Sequence, residues 1–253
     1  MNVHVARSRM ELGTTAASHI ASALRARLRE QAGVRMILAA APSQAEMLAA
    51  LIQEPEIDWP RVEIFHMDEY IGLQADSPQR FALWLRRTFT NHLPLGRFEP
   101  IDPGESPQET CKQYAKLLAE APIDLVLLGV GTNGHLAFND PPANLEDPES
   151  VKIVTLDHLC REQQVLDGCF AALEDVPRQA ITLTVPTLLA GHELFCCVPG
   201  QLKSAAVQAM LESPVSGNCP ATALRTHPRC TIYLDRDSSS KSQYHAIVND
   251  HRP

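Results

Sequence analysis

Short apolar runs recur along this chain, separated by segments whose apolar residues have helical spacing. Three such runs are Val34 to Ala41, Ile123 to Leu128 and Leu194 to Val198. They are too short for typical helices and lack polar alternation, which is typical of strands buried on both faces of a parallel sheet. We therefore predict an α/β protein with one domain over residues 1–253. Its mostly parallel, twisted, Rossmann-like sheet should carry helices on both faces.

The remaining helices and strands are predicted from the same two patterns, helical spacing of apolar residues and short apolar runs. Helices are predicted at Ser8–Gln31, Ala45–Gln53, Gln79–Thr90, Ser106–Glu120 and Leu159–Ala172, with a brief one from Pro186 to Gly191 and another opened by Pro199–Lys203. Further strands are predicted at Arg61–His66, Val151–Leu156, within Pro177–Thr184 and at Cys230–Leu234. The polar segment that follows, Asp235 to Gln243, is expected to be frayed.

A glycine-rich loop, Gly129 to Pro142, directly follows the apolar run at Ile123–Leu128 and reads GVGTNGHLAFNDPP. Glycines such as Gly129 and Gly131 permit tight turns and close approach of main-chain amides to a ligand. Among them lie four polar groups: Asn133, His135, Asn139 and Asp140. Ligands bind beyond the carboxyl ends of strands in open α/β sheets, so the loop is a candidate site. The alternative is a surface turn that happens to contain a histidine.

Composition excludes several classes of function. The formal net charge of −8 leaves no basic surplus for nonspecific nucleic-acid binding, although a small anion needs only a few local cations. The seven cysteines are scattered without a CxxC pair, which favours reduced thiols over a disulfide framework or a metal site. No run is long enough to span a membrane, and the N-terminal segment lacks the apolar core of a signal peptide. A cytoplasmic location is expected.

Two further segments have the local chemistry of an anion site. Ser43 follows a predicted strand and stands before the helix at Ala45–Gln53, where unpaired amides and the helix dipole favour anions. Ser43 is alternatively only the N-cap of that helix. Lys203 lies at a helix start, against the preference of the dipole, which indicates either a bound anion or a solvated surface lysine.

Two adjacent carboxylates, Asp68 and Glu69, follow the predicted strand Arg61–His66. Acidic residues in such a position commonly cap the start of a helix. Alternatively, one of them is a catalytic base and the other its structural neighbour. The residues alone leave both possibilities open.

Four segments resemble one known family when taken together. They are FHMDEYIGL (Phe65 to Leu73), LGVGTNGHLAFNDP (Leu128 to Pro141), AITLTVPTLL (Ala180 to Leu189) and VPGQLK (Val198 to Lys203). In this order they resemble glucosamine-6-phosphate deaminase, also called glucosamine-6-phosphate isomerase, from about Ala39 to Leu234. The wider superfamily includes 6-phosphogluconolactonase, which shares the fold and a GxGxDGH core but lacks the AFN continuation.

This resemblance implies a cofactor-free conversion of glucosamine 6-phosphate to fructose 6-phosphate and ammonia. His135 matches the histidine that opens the sugar ring, and Asp68 matches the carboxylate that shuttles a proton. Asn133 stands where family members have Asp or Asn. Asp140 stands where the family usually has Glu, among the groups that orient the histidine, and its side chain is one methylene shorter.

The implied partner is a small sugar phosphate, and no metal is implied. Lys203 and Ser43 match residues that hold the phosphate, beside main chain at Gly129 and Gly131. The family's glycine-rich phosphate loop reads AAAPSQ here (Ala39 to Gln44), and Arg161 is the nearest candidate for its phosphate arginine. Members commonly form oligomers, so a homo-oligomer is one expectation. A lactonase-type hydrolase and a non-catalytic sugar-phosphate sensor are the alternative functions.

Overall fold

A computed structural model describes residues 1–245 and is built around a seven-stranded sheet. Its strand order is β1-β10-β9-β6-β2-β3-β5, and every neighbouring pair is parallel. The strands are β1 (Asn2–Ala6), β2 (Val34–Leu38), β3 (Val62–His66), β5 (Arg97–Glu99), β6 (Leu125–Leu128), β9 (Glu193–Val198) and β10 (Cys230–Asp235).

Three further strands form a small antiparallel sheet in the order β4-β8-β7. They are β4 (Asp68–Tyr70), β7 (Val151–Thr155) and β8 (Gln179–Leu183). The prediction of a mostly parallel α/β fold is confirmed. The short strand β4 was not predicted, because three residues are too few to show a periodic pattern.

In the described part of the chain, seven α-helices pack around the sheets. They are α1 (Arg9–Glu30), α2 (Ala45–Ile52), α3 (Phe81–Thr88), α4 (Pro107–Ala119), α5 (His158–Leu166), α6 (Val185–Leu189) and α7 (Ser204–Glu212). The predicted helices match these to within a few residues, except that α5 ends six residues before the predicted Ala172. Within residues 1–245, none of the helices combines the length and apolar composition needed to cross a bilayer.

The large sheet separates two hydrophobic cores. Met36 and Leu38 of β2 pack into one core and Ile37 into the other; β6 divides its residues in the same alternating way. Successive side chains of a strand point to opposite faces, so burial of both faces requires an unbroken apolar run. This explains why the central strands were recognisable in the sequence.

Strand β1 was missed, because it lies at the edge of the sheet and none of its five residues is buried, so it forms no apolar run. Its parallel partner is β10. The polar segment after β10 was wrongly expected to be frayed. Ser238 and Ser239 are fully buried, and the Asp235 carboxylate accepts hydrogen bonds from the N–H groups of Gly200 and Ser238. These bonds tie the segment to the loop that follows β9.

The prediction that Ser43 caps α2 is also wrong. A 3₁₀ turn over Pro42–Gln44 runs directly into the helix, and no side chain caps its first amides. Ser43 is already inside this turn, without the extended backbone that an N-cap requires. Its hydroxyl instead accepts a hydrogen bond from Nε2 of Gln44 at 3.1 Å.

Candidate active site

A pocket lies at the carboxyl edge of the large sheet. Four neighbouring strands supply it: residues 39–44 follow β2, Met67 and Asp68 follow β3, residues 129–131 follow β6, and Lys203 follows β9. Carboxyl ends of parallel strands meet at one edge, so distant segments of sequence converge there. The structure thus brings Ser43, Asp68, Gly129, Gly131, His135 and Lys203 into one pocket.

Asp68 is a buried carboxyl group on the pocket wall. It is the first residue of β4 and lies opposite Thr182 of β8. Burial raises the pKa of Asp68 well above its ordinary value, and the neighbouring Glu69 charge raises it further. Such a group holds a proton more tightly than a solvated carboxylate, which is the property of a general acid–base residue.

Glu69 turns away from this pocket, because successive strand residues face opposite sides. Its carboxylate accepts hydrogen bonds from the N–H groups of Tyr70, Phe81 and Ala82. The last two belong to the first turn of α3, whose amides have no partners within the helix. Glu69 therefore stabilises the start of a helix twelve residues away, and only Asp68 faces the pocket.

His135 is oriented by two neighbours from its own loop. Its Nδ1 lies 3.1 Å from Oδ1 of Asp140, although the N–H direction is not aligned for a good hydrogen bond. Asn133 donates from Nδ2 to the same oxygen at 3.1 Å and accepts the His135 backbone N–H at 3.1 Å. Asp140 therefore reaches the ring despite its short side chain, but with imperfect geometry.

The ionised form of Asp140 is favoured by its surroundings. Burial opposes ionisation, but the His135 ring, the Asn133 amide and the Asp157 backbone N–H together hold the pKa of Asp140 below its ordinary value. A carboxylate in this position holds the imidazole ring in a defined orientation.

The loop glycines make room for protein side chains. A Cβ on Gly131 would lie 2.3 Å from the His135 ring, and one on Gly129 would lie 2.8 Å from Nε2 of Gln44. Contacts this short do not occur, so any larger residue would displace the ring or the amide. The glycines thus allow His135 and the 3₁₀ turn to pack against the end of β6, in addition to lining the pocket.

Lys203 is the cation of the pocket. It is only 8% exposed, which excludes the solvated surface lysine considered above. Burial lowers the pKa of Lys203 to about 8, and the charge of Asp167 partly offsets this effect. The ammonium group is therefore poised to gain from an anionic ligand.

Arg161, the candidate for the phosphate arginine, is directed away from the pocket. Its guanidinium group donates to the carbonyl oxygens of Leu173 and Val176. The residues of α5 and its end that reach the pocket are Gln163, Gln164 and Asp167. Residues two apart on a helix point about 200° from each other, so Arg161 and Gln163 cannot share a face.

Among residues 1–245, one group of side chains has metal-ligand chemistry. His135, Asp140 and Cys160 offer donor atoms within 4.8 Å of one another. Burial and nearby carboxylates, including Asp140, raise the pKa of the Cys160 thiol far above its ordinary value. Zinc requires the thiolate, so the surroundings of Cys160 oppose this use. The contacts are explained without a metal, as a histidine–carboxylate pair beside a buried thiol.

The fold and the pocket together define an α/β protein with acid–base groups and one buried cation at the carboxyl edge of its sheet. A family model described as glucosamine-6-phosphate isomerases/6-phosphogluconolactonase matches residues 7–233. The chain belongs to this family.

Individual relatives support the assignment. A glucosamine-6-phosphate deaminase of Streptomyces avermitilis is 36% identical over 200 residues, covering 78% of this chain and 76% of that protein. One of Lactobacillus delbrueckii subsp. bulgaricus is 28% identical over 243 residues, covering 95% and 99%.

Solved structures share the fold over almost the whole chain. A monomeric glucosamine-6-phosphate deaminase matches with a TM-score of 0.87 at 25% identity, covering 95% of this chain and 100% of the other. A 6-phosphogluconolactonase from Trypanosoma brucei matches with a TM-score of 0.78 at 18% identity, covering 94% and 97%, and shows the fold alone.

Proposed function

We propose that this protein is an amino-sugar-phosphate deaminase that converts glucosamine 6-phosphate to fructose 6-phosphate and ammonia. The observation that carries the proposal is one pocket containing a buried carboxyl group with a raised pKa and a carboxylate-oriented histidine. These are the two acid–base groups that ring opening and a proton shift require. The names of the relatives point to the same reaction.

Ring opening is assigned to His135. A proton must leave the anomeric hydroxyl and another must reach the ring oxygen, which suits a side chain that exchanges protons near neutrality. Asp140 holds the imidazole ring in its orientation during this transfer, and Asn133 holds Asp140 in place.

The proton shift is assigned to Asp68. In the open-chain aldehyde, its carboxylate removes the proton from C2, giving an enediol-like intermediate that carries the amine. The same proton returns at C1, and the amine loses a proton that balances the one taken up by the oxygen at C1, which leaves an imine at C2. Water then hydrolyses the imine to the ketone and ammonia, so that the atoms balance. Burial of Asp68 raises its basicity for the first step.

Binding of the substrate's far end is assigned to Lys203 and Ser43. Both line the pocket together with the main chain at Gly129 and Gly131. A charged anchor remote from the reacting carbons supplies binding energy that orients them. Arg161 is not assigned a role in binding, because its guanidinium group is bonded to backbone carbonyls.

The test is an assay of ammonia and ketose phosphate after incubation of the purified protein with glucosamine 6-phosphate. Both products in equal amounts are expected. Hydrolysis of 6-phosphogluconolactone beyond its spontaneous rate, without ammonia release, would instead support the lactonase alternative. Thermal stabilisation by the sugar phosphate without any product would support the sensor.

We further propose that a single chain is the catalytic unit, because Asp68, His135 and Lys203 converge in one pocket of the fold. A structural relative is described as monomeric. A homo-oligomer would then join complete sites. The free thiols of all seven cysteines suit the reducing cytoplasm, which is the proposed location.

A further inference from the structure

Gln44 is a fully buried polar side chain in the wall of the pocket, at the end of the 3₁₀ turn Pro42–Gln44. Its Nε2 donates to the carbonyl oxygen of Cys197 at 3.1 Å and to Oγ of Ser43 at 3.1 Å. Both hydrogens of the amide nitrogen are therefore used. One fixes the turn to the end of β9, and the other reaches the hydroxyl that the proposed function assigns to substrate binding.

The direction of the hydrogen bond to Ser43 follows from the chemistry of the bond to Cys197. A backbone carbonyl can only accept, so the nitrogen of the Gln44 amide, and not its oxygen, must face Cys197. The same nitrogen faces Ser43, whose Oγ must therefore be the acceptor. A hydroxyl that accepts through a lone pair keeps its own hydrogen for another partner. Among residues 1–245, no protein acceptor takes the hydrogen of the Ser43 hydroxyl.

Gly129 lies against the same arrangement. A Cβ at this position would lie 2.8 Å from Nε2 of Gln44, 3.4 Å from the Cys197 carbonyl oxygen and 3.7 Å from Oγ of Ser43. The three hydrogen-bonded groups thus pack directly against the main chain at the end of β6. Close packing of this kind restricts the side chains to the observed arrangement.

The free hydrogen of Ser43 is the group that an anion needs. A phosphate monoester carries about −1.5 to −2 charges near pH 7, and its oxygens accept hydrogen bonds. Hydrogen bonds to such a charged acceptor are about twice as strong as neutral ones. Ser43 lines the pocket with Lys203 and supplies such a bond only if its hydrogen points to the ligand. In helical turns a serine hydroxyl otherwise tends to donate to a carbonyl oxygen of the preceding turn.

We infer that Gln44 is a positioning residue for substrate binding. By donating to Oγ of Ser43, it keeps the serine hydroxyl from turning to the backbone and leaves its hydrogen directed to the anionic end of the substrate. Gln44 itself makes no bond to the ligand, because both hydrogens of its amide are used and its Oε1 is buried. The inference deepens the proposed function and rests on it for the placement of a phosphate beside Ser43 and Lys203.

The test is a double-mutant cycle on the affinity for glucitol 6-phosphate, measured by calorimetry. This hexitol phosphate has no carbonyl group, so it binds without reacting. Four proteins are compared: wild type, Ser43→Ala, Gln44→Met and the double variant. The matched control is Gln53→Met, which makes the same exchange at the exposed end of α2. Circular dichroism checks that each variant is folded.

Ser43→Ala should weaken binding about 10-fold, as expected for loss of one hydrogen bond to a charged group. Gln44→Met should weaken binding about 5-fold, because the hydroxyl can then turn to backbone acceptors. In the Ser43→Ala background, the same exchange at Gln44 should change the affinity by less than about 2-fold, because the hydroxyl that Gln44 orients is gone. Gln53→Met should bind like wild type.

A purely structural role of Gln44 would weaken binding by the same factor in both backgrounds, and that result would overturn the inference. Wild-type affinity in either single variant, or no binding of glucitol 6-phosphate to wild type, would also overturn it. Gln44→Asn is a second variant, because its shorter amide stays polar in the buried site but cannot reach both acceptors; the same pattern is expected. If neither variant at Gln44 folds, the residue is structural and the inference is wrong.

Kinetics with glucosamine 6-phosphate separate this inference from the proposed function. No ammonia from wild type would refute the proposed function, whereas the binding cycle would still decide the role of Gln44. In the active enzyme, Gln44→Met should raise KM about 5-fold and leave kcat within about 2-fold, because Gln44 acts on binding and not on the acid–base groups. A lower kcat with an unchanged KM would contradict the inference.

Discussion

At the scale of single residues, adjacent side chains in the pocket wall have separate tasks. Asp68 faces the pocket, and Glu69 satisfies backbone amides of a helix. Successive side chains of a strand point to opposite faces, which separates the two carboxylates. Asp68 can therefore be substituted without loss of the hydrogen bonds that Glu69 accepts from α3.

Replacing Asp68 with Asn should lower kcat by about 10²–10⁴-fold and change KM little, because a positioned acid–base group is lost while its shape remains. Steady-state kinetics with glucosamine 6-phosphate measures both constants. Asp76→Asn, at an exposed loop position, is the control. Turnover near that of wild type would exclude Asp68 as the proton shuttle.

Deprotonation of Lys203 should make kcat/KM fall at high pH. Its pKa of about 8 means that the cation is present below that pH and is lost as the pH rises through it. Asp68 acts as a base only when deprotonated, and its raised pKa places the acidic limb above the range of an ordinary aspartate. The profile of kcat/KM against pH should therefore be bell-shaped for a charged substrate.

Lys203→Met supplies the check on the basic limb. This variant should raise KM and lose the decline near pH 8, since no ammonium remains to titrate. An unchanged KM would place the anion elsewhere in the protein.

At the scale of elements, the start of α3 depends on a strand residue. The carboxylate of Glu69 is the acceptor for two amides of its first turn, and no side chain of the N-cap residue serves them. This contact connects the small antiparallel sheet to α3, and Phe81 of α3 also lines the pocket.

Glu69→Ala should reduce the free energy of unfolding by about 2–4 kcal/mol, because it leaves buried amides without an acceptor. Glu69→Gln, which keeps one acceptor oxygen, should lose less. Urea denaturation monitored by circular dichroism gives both values. If Glu69→Ala lies within about 0.5 kcal/mol of wild type, the carboxylate does not stabilise α3.

At the scale of the whole molecule, the sheet divides the interior into two cores. Ile20 of α1 belongs to one core and Ile232 of β10 to the other, and both side chains are fully buried. The strands of the large sheet lie between the two clusters and contribute side chains to both.

Ile20→Val and Ile232→Val should each cost about 0.5–1.5 kcal/mol, as expected for loss of one buried methylene group. The double variant should show the sum to within about 0.5 kcal/mol, because the two sites share no side-chain contacts. Denaturant unfolding of wild type, the two single variants and the double variant gives the four free energies of this double-mutant cycle. A coupling energy above about 1 kcal/mol would mean that the cores respond as one.

The sequence by itself determined the central sheet and the glycine loop. Runs such as Ile123–Leu128 were recognisable because burial of both faces excludes polar residues. The pairing of His135 with Asp140 was also foreseeable, since both lie in one short loop and match a known motif. These features depend on local sequence alone.

Only the tertiary structure decided which distant side chains face the substrate. Asp68, His135 and Lys203 come from three distant parts of the chain and line one pocket because the strands that precede them end at the same edge of the sheet. Arg161 and Asp167 belong to one helical segment, yet the rotation of that helix directs the arginine to carbonyl groups and the aspartate to the pocket. Helix rotation is set by packing against the loop at Thr132, which donates to Gln163. Nothing in the local sequence indicates the contact between Thr132 and Gln163, so the residues of α5 that line the pocket could not be predicted from it.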